Sequence, residues 1–157
     1  MTVTGSRSVP AVRHPGLDLP TRVLRIASAA ALAVSGDIHA QLYIDGYRFI
    51  HVVGVLFLVQ AAVSFAVTVL LVTAAVWRPP VLVDLAGAGV ALGALGGFAA
   101  SRTVGVFGFI ERGLQPAPQS LISILVEVAA FSLLAAVVVR TVRHGECRLI
   151  GRPTPEA

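Results

Sequence analysis

The chain has 157 residues, 56% of them hydrophobic and only 13% charged, with a formal net charge of +4 and a mean hydropathy of +0.86. That charged share is about half of what a soluble globular domain carries, so an ordinary soluble domain is excluded and an integral membrane protein is expected. All twelve basic residues are Arg and most flank apolar runs, so membrane topology explains the basic balance better than nucleic-acid binding does.

Residues 1–21, with Pro10, Pro15 and Pro20, read as a cytoplasmic tail. The first span is expected over about 22–40, interrupted near its start by Arg25. Its run "VLRIASAAALAVSG" also has the small-x-small ending of a secretory signal, Ala33-Val34-Ser35, and cleavage there would leave three helices. The second span covers about 49–76 and is stopped by "WRPP", where two prolines end a helix and Trp77 suits an interface. The third covers about 81–101. After a connection broken by Gly105, Gly108, Gly113, Pro116 and Pro118, the fourth covers about 119–139. The whole is an all-α, polytopic four-helix transmembrane bundle (22–140), followed by a second cytoplasmic tail (141–157).

Arginines orient it. Arg7, Arg13, Arg22, Arg25, Arg78, Arg140, Arg143, Arg148 and Arg152 fall on one side; Arg48, Arg102 and Arg112 fall on the other. The richer side is expected to be the cytoplasm, which places both termini inside a bacterial cytoplasmic membrane.

Gly89, Gly93 and Gly97 recur every fourth residue in the third span, with Ser101 continuing the line. Such a row lets another helix approach closely, either within the bundle or across a homo-oligomer. In the fourth span, Ser120, Ser123, Glu127 and Ala130 share one face. A carboxylate about nine residues into a span lies roughly 13 Å deep and must turn to the bundle interior. Gln60 lies at similar depth and Arg102 could reach down to it, so Gln60, Arg102 and Glu127 form an expected buried polar network. Asp84, at the start of the third span, reads as a helix cap.

Polar residues concentrate in "GDIHAQLYIDGYRFIH" (36–51), at the first hairpin. The plain reading is an outer cap, where helices leave the bilayer and Tyr43 and Tyr47 form an aromatic belt. A sharper one uses His39 and His51. They lie at similar depth on antiparallel spans, each with a glycine three positions away, Gly36 and Gly54, and two facing imidazoles are what a bis-His haem b needs. With Asp37 and Asp45, His39 and His51 could instead bind a divalent metal. The second outer connection, "RTVGVFGFIERG", could lie along the interface or fold over the hairpin as a lid on an outward-facing pocket.

Cys147 is the single cysteine and Met1 the single methionine, which excludes an internal disulfide, a CxxC pair and a thioether copper site. There is no catalytic triad order, H-E-x-x-H, P-loop or dinucleotide fingerprint.

With "GYRFIHVVGVLFLVQA" opening the second span and "ASRTVGVFGFIERG" closing the third, the middle of the chain resembles small four-helix membrane proteins of high-GC Gram-positive (actinobacterial) bacteria. The resemblance implies fold and location and brings no activity with it. In architecture alone the chain is also similar to DoxX-like proteins; the vitamin K epoxide reductase-like pattern needs paired cysteines that are absent. The functional expectation is a non-enzymatic accessory or assembly subunit of a larger membrane complex, in contact with lipid and other subunits. The alternatives are a redox or metal-binding protein using His39 and His51, and a proton- or solute-conducting protein centred on Glu127.

Overall fold

The computed structural model describes residues 18–77 and 81–150, with residues 144–150 as backbone alone. The expectations placed on residues 1–17, on Arg78, Pro79 and Pro80, on Cys147 and on residues 151–157 lie outside the described side chains. Four helices run up and down: α1 Leu19–Asp45, α2 His51–Val76, α3 Leu82–Arg102 and α4 Gln119–Ile150, with a 3₁₀ turn Tyr47–Phe49 between α1 and α2. All four are long and apolar enough to cross a membrane. The chain is all-helical, as expected, but α1 and α4 outrun their apolar cores.

Local chemistry explains those longer ends. Pro20 sits in the first turn of α1, where a missing N–H costs nothing. Asp18, just before it, accepts from Thr21 Oγ1 (2.7 Å) and from Arg140 Nη2 (2.8 Å), tying the start of α1 to the far part of α4. These two hydrogen bonds, Thr21's the stronger influence, hold the Asp18 carboxyl below its ordinary range.

The packing is inverted relative to a soluble bundle. Leu58, Val69 and Leu125 are half-exposed or more, whereas Arg25, Ser28, Ser35, Ser64, Asp84, Ser123 and Glu127 are buried. Where apolar solvent surrounds a bundle, polar groups and close backbone contact hold the helices together. The apolar part of the core lies towards the end carrying the termini, where Ala29, Leu32, Val67, Leu71, Ala91, Ala130 and Leu134 meet.

Close approach is made at Gly36 and Gly87. A Cβ on Gly36 would lie 3.1 Å from Ser64 Cβ on α2, and one on Gly87 2.7 Å from Leu134 Cδ1 on α4. The expected row behaves differently. A Cβ on Gly89, Gly93 or Gly97 would meet nothing within 4 Å among the described residues, so none of the described helices packs closely against them. Ser101, by contrast, is buried. The reason is helical pitch: at 3.6 residues per turn, each four-residue step drifts by about 40°. The row therefore begins on the outside of the bundle and ends inside it.

Arg25 does not interrupt α1. Its Nε and Nη2 donate to Asp84 Oδ1 (2.8 Å) and Oδ2 (2.6 Å), and Nη1 donates to Ala74 O (3.1 Å). Asp84 stands in the first turn of α3, as expected of an acid at a helix start, but it is more than a cap: its carboxylate is half of a buried ion pair joining α1, α2 and α3.

Candidate functional site

The other half of the bundle, towards the hairpin, holds a cavity of about 320 Å³. All four helices and the α3–α4 connection wall it. His39 and Leu42 come from α1, Leu56, Phe57, Val59 and Gln60 from α2, and Gly93, Gly97, Phe98 and Ser101 from α3. Ser120, Ser123 and Glu127 come from α4; Val106, Phe109, Glu111 and Pro116 come from the connection.

Glu127 anchors the polar side. It is 1% exposed, on the face of α4 expected to turn inward. Its Oε1 accepts from Ser123 Oγ, one turn earlier (2.6 Å), and from Ser35 Oγ on α1 (2.9 Å). Among the described residues no hydrogen bond reaches Oε2. His39 Nδ1 lies 4.0 Å from Oε1 and 2.8 Å from Ser35 O. A carbonyl can only accept, so Nδ1 carries a hydrogen and donates it to Ser35 O. Gln60 completes the set: its amide nitrogen donates to Val90 O (3.3 Å) and towards Ser64 Oγ (3.5 Å). That orients the amide, because a carbonyl acceptor selects NH₂ over oxygen.

All three residues of the expected network, Gln60, Arg102 and Glu127, line the cavity, but the polar partners of Arg102 lie at the helix end and not at Glu127. Arg102 Nη1 pairs with Glu111 Oε2 (2.9 Å) and donates to Ser101 Oγ (2.6 Å). Nε donates to Gly113 O (3.1 Å), Nη2 to Gln115 O, and the guanidinium lies 3.9 Å from the Phe98 ring centroid. Partners at the helix end satisfy the cation without drawing it to the depth of Glu127.

The connection is folded over the hairpin, so the lid arrangement is the one found. Tyr47 OH donates to Glu111 Oε1 at 2.5 Å, and Phe109 meets the Tyr47 ring edge-on at 5.9 Å. Tyr47 stacks on Phe57 at 4.4 Å, which in turn lies 5.2 Å from the His39 ring. Burial first, and then the Glu111 carboxylate, push the Tyr47 phenol above its ordinary pKa. A tight turn with Phe107 (φ 51°) and Gly108 (φ 82°) at its centre brings Val106 back to Phe109. A second hollow of about 300 Å³, lined by Asp45, Gly46 and Gln119 among others, lies against the same Tyr47, Phe109 and Glu111 side chains.

The structure does not bring His39 and His51 to one site. His39 lines the cavity, whereas His51 is exposed at the first residue of α2 and does not line it. The space expected beside each ring is already used. A Cβ on Gly54 would lie 2.7 Å from Tyr47 O and 2.9 Å from Arg48 Cα, and Gly36 admits Ser64. Asp37 and Asp45 are exposed, with Asp37 accepting from Gln41 Nε2 (2.6 Å). Among the described residues no group of three or more His, Cys, Asp or Glu converges as a metal site. Sequence reasoning missed Ser35 and Tyr47 as site residues; a Ser on α1 facing the fourth helix is visible only once the helices are assembled.

No known family model matches this chain, and no curated protein or solved structure matches it either.

Proposed function

We propose that this chain is a four-span integral membrane protein that holds a small molecule in the cavity beside His39 and Glu127. One observation carries the reading. Two serine hydroxyls fix Glu127 through Oε1, and its second oxygen and the His39 ring border a cavity within the usual size range of small-molecule sites. A carboxylate buried this deep in an apolar bundle is costly unless it is used, and intramembrane ionisable groups commonly mark ligand or ion sites. The arginine distribution supports both termini facing the cytoplasm of a bacterial cell. Cys147, beyond the apolar part of the fourth span, should then react with a membrane-impermeant maleimide only after the cells are opened.

The test is extraction and mass spectrometry of small molecules retained by protein captured in native-lipid nanodiscs. The wild type should carry one at near one per chain, and a His39→Phe/Glu127→Gln variant of equal helix content should lose it. Equal loads in both proteins would sink the reading.

A second reading, an accessory subunit of a larger membrane complex, draws on Gly89, Gly93 and Gly97, against which none of the described helices packs closely. A helix from another subunit would pack there. Purification from native membranes as a lone monomer, with Gly89→Leu changing nothing, would remove it.

A further inference from the structure

We infer that the occupant is a bilayer-dissolved molecule with a neutral hydroxyl head, such as an alkylphenol, and that it reaches the cavity sideways between α2 and α3. This rests on reading the cavity as a binding site, and it concerns which molecule and which route.

The route follows from where the walls close. Gln60 is pinned to Val90 O, and below that point Gly87 lies against Leu134, Leu71 and Val67, closing the seam between α2 and α3. Above it, Gly93 and Gly97 line the cavity with nothing near their missing side chains. Leu56 and Val59, the α2 residues lining the same cavity, are 45% and 51% exposed. The opening is therefore an apolar one, on the flank that faces lipid in a membrane. The hairpin end is shut by contrast. Glu111 bridges Tyr47 and Arg102, and Arg102 holds the connection through the Gly113 and Gln115 carbonyls. Four polar links and the Phe109–Tyr47 contact would have to part for a molecule to come from water.

The head follows from what the polar wall lacks. Ser123, Ser35 and the Gln60 NH₂ spend their hydrogens within the protein. Glu127 Oε2 and Gln60 Oε1 take no hydrogen bond among the described residues. Tyr47, Ser120 and Arg102 also line the cavity, but they spend hydrogens on Glu111, Gln115 O and the α3–α4 connection. An anionic head would lie against the Glu127 carboxyl and the Gln60 carbonyl oxygen, whereas a hydroxyl can donate to either. At about 320 Å³ the cavity is at the small end of ligand sites, suited to a ring-sized head whose alkyl chain leaves through the opening.

The experiment measures saturable binding of radiolabelled 4-hexylphenol to the full chain in lipid nanodiscs, corrected for partition into empty discs. Its methyl ether, 4-hexylanisole, has the same tail and no donor. The phenol should saturate at one per chain and the ether bind at least about tenfold more weakly, the scale of one lost hydrogen bond in apolar surroundings. Gly93→Phe and Gly97→Phe, at positions where an added Cβ meets nothing within 4 Å among the described residues, should abolish phenol binding. Gly89→Phe, one turn outside the cavity, should leave it intact. Phenol binding unchanged in Gly93→Phe and Gly97→Phe would overturn the sideways route while leaving the cavity a binding site. Equal binding of phenol and ether would overturn the hydroxyl head. Absence of saturable phenol binding, in a protein that still retains a different molecule from native membranes, overturns the inference but not the proposed function. Absence of both overturns the two together.

Discussion

Arg25 and Asp84, fifty-nine residues apart, form a two-pronged buried ion pair, with the guanidinium also donating to Ala74 O. Ala74 O lies in the last turn of α2, where carbonyls have no helical partner, so one side chain satisfies α2 and neutralises α3 at once. Removing one partner strands the other. Asp84→Ala is expected to destabilise the bundle by about 3–5 kcal/mol. An Arg25→Met/Asp84→Leu double replacement should recover most of that loss, as measured by thermal or SDS-titrated unfolding in detergent. A double variant as weak as the single one would show that the pair's role is not charge compensation.

Gly87 and Gly89 should respond in opposite ways. Gly87 touches Leu134, whereas Gly89 faces open space. Gly87→Val overpacks the α3–α4 contact and should cost about 1–3 kcal/mol. Gly89→Ala removes backbone freedom without a clash and should stabilise by up to about 1 kcal/mol. If unfolding shows Gly89→Ala to be the damaging change, α3 is turned differently.

The Tyr47–Glu111 contact should give the protein an alkaline limit. The Tyr47 pKa is raised above its ordinary 10.0. A group whose folded pKa is raised contributes stability that is complete below the ordinary value and is lost as pH climbs through the folded one. Tyr43 and Tyr47 are the two tyrosines of the sequence, so a Tyr43→Phe chain isolates Tyr47 for ultraviolet titration. Its phenolate absorbance should be largely absent at pH 10.0 and emerge only above it. Glu111→Gln should bring the transition down, though burial keeps it above the ordinary value. A half-ionised Tyr47 at pH 10.0 in the Tyr43→Phe chain would contradict the latch.

Phe107 holds a left-handed backbone conformation (φ 51°) while its side chain is 78% exposed. A β-carbon makes that region unfavourable by roughly 1–2 kcal/mol, and Asn tolerates it better. Phe107→Asn should therefore stabilise the chain by about 1 kcal/mol in detergent. If the ring instead seats in the lipid interface, vesicle-reconstituted protein should lose that gain, so unfolding in both media separates backbone strain from lipid contact.

The sequence by itself determined the four apolar helices, because a run of about 20 apolar residues bounded by Pro, Gly and Arg has few other outcomes. It also determined that Glu127 turns inward, since a carboxylate at that depth has only the bundle interior to face. Which partners these groups take was decided by tertiary structure. Arg25 looked like a flaw in α1 and Asp84 like a cap, because the contact joining them spans fifty-nine residues. His39 and His51 looked alike by spacing, yet the hairpin backbone fills the room beside Gly54 and leaves His51 outside. The Gly89–Gly97 row looked like a seam, and the 40° drift of each helical step carried it to the outside and then to the mouth of the cavity. Spacing along one helix fixes which residues share a face; which neighbour that face meets is set only when four helices choose their rotations together.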